Sequence, residues 1–333
     1  MIQLEQLEQL THAHGPSGDE GAICEVIRRL ALPYADEVTV DVMGNLMVHK
    51  QGTGAKVMLS AHMDSIGFIV THIEKEGFLR VGRLGGVAPS EALYTPVKFK
   101  NGTCGVVAKE EKAKLSSLKL DECYLDIGAD SEAEAKKQVL VGDTAVYDMP
   151  TVAQGDCVRS PYLDNRISCA ILLEVLSQLK DCPNDVYFVF SAQEEVGLRG
   201  AKTAAWGIAP DYALAVDVTD VDDTPGSEQC GTVQLGKGAA IKVMDRSVIC
   251  HPKLVYLLEQ AAQEHQIPVQ KDILKAGGTD AGAIHTTKLG VVTGGVSVPC
   301  RYIHTPTEMV HQKDVQNCVD LLLAVLRKNL NEV

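Results

Sequence analysis

Two histidines and several carboxylates stand where strand-like segments end. His62 closes the apolar run KVMLSAH with Asp64 two residues on, and Glu194 and Glu195 follow DVYFVFSAQ. Asp217 ends DYALAV, His304 follows GVSVPCRYI, and Asp164 opens a helical stretch at Leu163-Asp164-Asn165-Arg166. In α/β folds, polar residues just past the carboxyl ends of buried strands form the usual binding crevice. A mixed imidazole and carboxylate donor set suits zinc, cobalt or manganese better than calcium, which takes mainly oxygen. Two neighbouring ions commonly share one carboxylate. The His62-x-Asp64 spacing places both side chains on one side of an extended strand, so Asp64 can orient a ligating His62. Adjacent Glu194 and Glu195 fit a division of labour in which one ligates and the other takes a proton from water. Taken singly, each such residue is more often a cap, a surface carboxylate or a satisfied histidine. The signal lies in their joint placement at strand ends.

The surrounding pattern predicts the elements that must hold them. Leu4, Leu7 and Leu10 recur at helical spacing, and a second helix follows GPSG with Ser17 and Glu20 in a capping-box pattern. EVTVDVMGNLMVHK reads as an extended pair turning at Gly44-Asn45. From residue 66 to 156 short strand-like pieces alternate with Gly, Pro and Asn punctuation, interrupted by one helical stretch, SEAEAKKQVL. Asn101-Gly102 there reads as a hairpin turn rather than a glycosylation acceptor. Alternating helices and apolar strands then resume to the end. The expected fold is α/β: an αβα domain with a mixed sheet, formed by residues 1–65 and 157–333, with a small β-barrel-like domain inserted at 66–156.

Length and composition agree with a packed protein. The chain has 333 residues, 45% hydrophobic and 23% charged, which excludes disorder as the dominant state. Its 31 basic residues against 44 acidic ones, a balance of −13, argue against nucleic-acid or anionic-membrane partners. No apolar run approaches the roughly 18 residues of a membrane span. Ten scattered cysteines without a C-x-x-C pair read as reduced thiols, and the acidic N-terminal segment does not read as a signal peptide. The expected compartment is the cytoplasm.

At these residues the chain resembles the tetrahedral, dinuclear metallo-aminopeptidases, a family that includes glutamyl aminopeptidases. The likeness is carried in order by GPSGDE (15–20), MGNL (43–46), LSAHMDSIGF (59–68), LDNRISCA (163–170), QEEVGLRGA (193–201), AVDVTD (215–220), LGKG (235–238), GGTDAGAIH (277–285) and PCRYIHTPTEM (299–309). The resemblance implies His62, Asp164 and Asp217 on one divalent ion and Asp164, Glu195 and His304 on a second, with Asp164 bridging. It implies Glu194 as general base, Asp64 as the residue orienting His62, and zinc, cobalt or manganese as the metal. Gly278, Thr279 and Asp280 resemble the family's substrate-side loop. The implied reaction is hydrolysis of the first peptide bond of short peptides by a bridging, metal-activated water. The implied assembly is dimers building a tetrahedral dodecamer through the inserted domain. One departure is Ser65, where family members commonly carry an acidic residue after HMD; it removes a negative charge beside the expected metal site.

Other readings carry less. Gly231 and Gly236-Lys237-Gly238 resemble a phosphate-binding loop but lack its Ser or Thr, so a plain loop is expected. A glycoside hydrolase, the label some relatives have carried, needs carboxyls facing each other across a sugar, and Trp206 is the single tryptophan available for stacking. A non-enzymatic scaffold would have lost ligands, and none is lost. His12 and His14 read as surface or helix-end residues, and His72, His251, His265, His285 and His311 as structural. Arg246, Lys242 and Lys275 are the candidate cations for an acidic substrate side chain.

Overall fold

The computed structural model of the chain describes residues 2–180, 182–227 and 232–332. At its centre four parallel strands lie side by side: Asp185–Ser191, Lys56–His62, Tyr212–Asp220 and Val292–Arg301. Parallel strands buried on both faces need near-continuous apolar runs, and these segments supply them. Antiparallel strands extend the sheet on one side through Leu46–Lys50 and Glu37–Val40. On the other side come Glu308–His311, Cys157–Ser160 and Val152–Gln154. Ala239–Met244 and Val269–Ile273 branch from Val292–Arg301, completing an eleven-stranded mixed sheet.

The period-two alternation of the strands decides what each face receives. Val57, Leu59, Phe188, Phe190, Leu214 and Val216 join one core under the helices Leu163–Gln178, Pro252–His265 and Gln312–Leu326. Met58, Val189 and Ala213 turn the other way, against the helix Arg199–Ile208 and the short turn Ala281–Ile284. His62 and Asp217 have the same parity as Met58 and Ala213. They therefore reach the strand ends on the more thinly covered face.

Between Lys56–His62 and the return of the chain to the large sheet, six antiparallel strands close a barrel. They are Gly67–Ile73, Leu79–Leu84, Pro96–Phe99, Cys104–Lys109, Cys123–Asp126 and Thr144–Tyr147. Phe68, Leu79, Val97, Phe99 and Leu125 fill its core. Closure removes the open edges that short strands would otherwise expose. The barrel meets the sheet domain through a polar knot: the Lys100 ammonium lies 2.5 Å from Asp19, the Thr144 hydroxyl donates to Asp19 at 3.0 Å, and His14 Nε2 lies 2.8 Å from Thr144. Nearby, the Tyr147 N–H donates to the Tyr162 hydroxyl.

Several local expectations change. The Ser17–Glu20 capping box does not form: the helix starts at Gly21, Ser17 donates to Asp64, and Glu20 accepts from the Gly18 and Gln193 N–H groups. The helix expected across SEAEAKKQVL contracts to Glu132–Ala135. His14 is not a plain surface residue, because it is half-buried in the polar knot. His251 and His311 do prove structural, each accepting at Nδ1 from a backbone N–H and so capping the helix that follows. The Asn101-Gly102 segment forms the expected hairpin turn, with the Gly102 N–H donating to Phe99. Gly231 and Cys230 lie outside the described residues. The Gly236 and Gly238 N–H groups bind the Asp314 carboxylate, so a side chain fills that loop. No disulfide links the described cysteines. No helix among the described residues is long and apolar enough to cross a membrane.

Candidate metal centre

Because the four central strands are parallel, their carboxyl ends share one edge. Ser191 pairs opposite His62, so the following loop brings Glu194 and Glu195 over that histidine. Asp217 lies on the neighbouring strand, and Asp164 departs from helical backbone at the mouth of Leu163–Gln178. His62 Nε2 lies 3.0 Å from Asp164 Oδ1, 3.7 Å from Asp217 Oδ1 and 3.9 Å from Glu194 Oε2. His304 Nε2 lies 3.2 Å from Asp164 Oδ2 and 3.3 Å from Glu195 Oε2. The two oxygens of Asp164 thus face two different histidines. Two groups, His62–Asp164–Glu195 and His62–Glu194–Asp217, have ligand atoms within 4.8 Å of one another.

A buried layer of hydrogen bonds fixes these side chains. The Asp64 carboxylate accepts from the Ser17 hydroxyl at 2.6 Å and from the N–H groups of Glu194 and Glu195 at 2.9 and 3.2 Å. Its Oδ1 lies 3.5 Å from His62 Nδ1, which is closer, at 3.1 Å, to the Asp64 main-chain oxygen. Asp64 therefore anchors the glutamate pair besides flanking the ring. Glu308 was not singled out in the sequence. Its two oxygens accept from the N–H groups of Asp164 and His304, each at 2.8 Å. It lies within the PCRYIHTPTEM motif, but bonds to backbone leave no trace in residue types.

The electrostatics are those of carboxylates held too close together. Burial holds Glu194 and Asp217 well above the usual carboxylate range, with neighbouring carboxylates adding to the shift. Burial alone would also raise Asp164, but bonds from His304 and His62 pull it below that range. Burial would lower His304, whereas Asp164 and Glu195 carry it up to about 12. Glu195 Oε1 is buried without a hydrogen-bond partner. Four buried carboxylates against two imidazoles, with one oxygen left over, form a set that divalent cations would neutralise. The donors fit such ions.

The cluster lines a cavity of about 510 Å³, walled also by Leu198, Asp220, Leu274, Gly278, Thr279 and Ile303. Asp280 does not line it: it lies buried beneath, its Oδ2 accepting from the Ser60 and Ser191 hydroxyls at 2.6 Å each. Ser65 is likewise buried away from the lining, held against the Gly15 carbonyl. Of the cations expected for an acidic substrate, Lys242 is buried with its Nζ 2.7 Å from Asp272. Arg246 is exposed and outside the lining, and Lys275 lines a neighbouring hollow.

Comparison with known proteins identifies the family. The M42 glutamyl aminopeptidase family model matches residues 44–321. A protein of Acetivibrio thermocellus named as a candidate aminopeptidase is 48% identical, over 96% of this chain and 97% of its own. Among solved structures, an aminopeptidase of the archaeon Desulfurococcus kamchatkensis superposes with a TM-score of 0.94 at 38% identity, covering 97% of this chain and 94% of that one. A Pyrococcus horikoshii TET1 peptidase, which can assemble into a tetrahedron or a large octahedral shell, gives 0.88 at 32% identity, covering 97% and 98%. By this match along most of its length, the chain belongs to the M42 glutamyl aminopeptidase family of metal-dependent peptide hydrolases.

Proposed function

We propose that this chain is a dinuclear metallo-aminopeptidase that removes single residues from the N-termini of short peptides. The reading rests on Asp164, whose Oδ1 and Oδ2 each face one histidine at 3.0 and 3.2 Å. A carboxylate in that position suits a bridge between two ions, with His62 and Asp217 on one side and Glu195 and His304 on the other. Zinc or cobalt, and next manganese, suit the donors. When bound, the ions supply Lewis acidity toward a water and a peptide carbonyl.

The remaining chemistry belongs to the protein. Glu194, buried and of raised proton affinity, takes the proton of the attacking water and returns it to the departing amine. Asp64 keeps the Glu194 backbone in register for both transfers. Gly278 and Thr279 line the cavity, where they would meet the substrate backbone, and Asp280 is held beneath it by the Ser60 and Ser191 hydroxyls. A glycosidase is disfavoured, because the carboxylates converge on shared histidines instead of facing each other across a sugar.

In the same reading, the insertion expected at 66–156, whose last strand Val152–Gln154 pairs into the large sheet while the barrel itself ends at Tyr147, serves self-association, and the subunits assemble through dimers into a tetrahedral dodecamer, a form within reach of the TET1 peptidase. The setting is cytoplasmic, where reducing conditions keep the nine described thiols unpaired. Metal analysis of protein purified without chelator tests the core of the proposal, with two ions per chain expected. Glu194→Gln should retain that metal while losing roughly 100-fold or more in kcat. Metal-free native protein, or a fully active variant, would refute it.

A further inference from the structure

Among the described residues, no lysine or arginine lines the cavity that holds the candidate ligands. Away from those ligands its walls are apolar at Leu198, Leu274 and Ile303, and one further charged group stands among them, Asp220. Asp220 ends the strand that carries Asp217, so its position is tied to the cluster by the strand itself. Two nearby cations are committed elsewhere, and a third, Lys275, lines only the adjoining hollow. Lys242 Nζ lies 2.7 Å from Asp272, and Arg301 Nε lies 2.7 Å from Asp223. An adjoining hollow of about 340 Å³ shares Asp220, Leu274 and Ala276 with the main cavity, and its Lys275 sits among Asp220, Asp222 and Asp272. Besides the candidate ligands, the wall is therefore apolar at several side chains and carries one carboxylate, Asp220.

A substrate side chain entering here meets hydrocarbon at Leu198, Leu274 and Ile303 and a carboxylate at Asp220. Lysine and arginine match that combination, since their methylenes cover apolar surface while the head group stays polar. A glutamate would bring a second carboxylate against Asp220 with no lysine or arginine in the cavity lining to offset it, and like charges reject a ligand as effectively as good contacts select one. We propose that the cavity selects peptides with a cationic N-terminal side chain, and that Asp220 is the residue that selects it. This rests on the aminopeptidase reading above and adds the substrate class to it.

The nitroanilides of Lys, Arg, Leu and Glu, assayed on the zinc- or cobalt-loaded protein, test the proposal. The Lys and Arg compounds should exceed the Glu compound by roughly 10- to 100-fold in kcat/KM, the range a charge-assisted bond supplies. Asp220→Asn should lower the Lys-to-Leu ratio by roughly tenfold, mostly through KM, and Asp220→Lys should move the ratio toward Glu. Calorimetric binding of free L-lysine, which needs no turnover, should weaken in Asp220→Asn. Preference of the native protein for Glu or Leu, or a Lys-to-Leu ratio unmoved by Asp220→Asn, overturns the inference while leaving the aminopeptidase reading intact. Release from none of the four compounds overturns that reading and the inference with it.

Discussion

Glu308 spans the two halves of the candidate metal cluster, with one carboxylate oxygen on the Asp164 N–H and the other on the His304 N–H. His304 sits at φ +65°, where a residue with a side chain is strained by about 1–2 kcal/mol, so something must hold it there. The Glu308 bond is a direct candidate. Substituting Glu308→Gln replaces one acceptor by an amide that faces a donor with a donor, leaving a buried N–H unsatisfied. The two groups that lose definition are ones proposed to grip metal, and outer-layer changes of this kind cost roughly 10- to 100-fold in metal affinity. Competitive titration with a chromogenic chelator should show that loss in Glu308→Gln, and Glu308→Ala should lose at least as much. Unchanged affinity in both would make Glu308 a packing residue alone.

At the scale of elements, the barrel reaches into the site through the loop that follows Leu79–Leu84. A Cβ on Gly86 would come within 2.4 Å of His304 Nδ1, and one on Gly85, at φ +72°, within 2.9 Å of Glu195 Oε2. The backbone of the inserted unit is thus the back wall behind two candidate ligands. Gly86→Ala should displace the His304 ring, lowering metal content and reducing activity by about tenfold or more, while the barrel core around Phe68 and Phe99 stays folded. Metal content per chain, read beside the melting temperature, separates displacement of the ligand from general unfolding; a variant with full metal occupancy contradicts the argument. The contact also shows where sequence reasoning ends. His62, Glu194, Glu195 and Asp217 were legible because apolar strands announce their own ends. Asp164 and His304 were legible through motif as well as position. The short strands Ala239–Met244, Val269–Ile273 and Glu308–His311 went unseen, since pairing partners distant in the chain, more than local pattern, make them strands. Glu308, the Gly85-Gly86 wall and the second role of Asp64 act through backbone groups, which every residue carries, so no residue type betrays them.

For the whole molecule, the joint between barrel and sheet domain is a further place where chemistry controls architecture. His14, from the sheet domain, lies 2.8 Å from Thr144 of the barrel and 3.2 Å from Asp19, with the Lys100 ammonium on the other Asp19 oxygen. Burial pushes the His14 imidazole below its ordinary value of 6.5, with Lys100 and Arg166 acting in the same direction and Asp19 opposing them. The folded protein therefore resists protonating His14 more than the unfolded chain does. Well above pH 6.5 both states hold it uncharged, and it contributes nothing to pH dependence there. As pH falls through 6.5 the unfolded chain takes up the proton first, so stability is lost on acidification. His14→Gln removes that proton uptake while offering Thr144 a polar partner. Differential scanning of both proteins from about pH 7 to about pH 5.5 should show the native melting temperature falling further than the variant's. Acid loss of metal and protonation of the carboxylates are common to the two proteins, so the difference between the curves isolates His14. Parallel curves would mean that the imidazole does not govern the joint, and a steeper fall in the variant would reverse the sign of the argument.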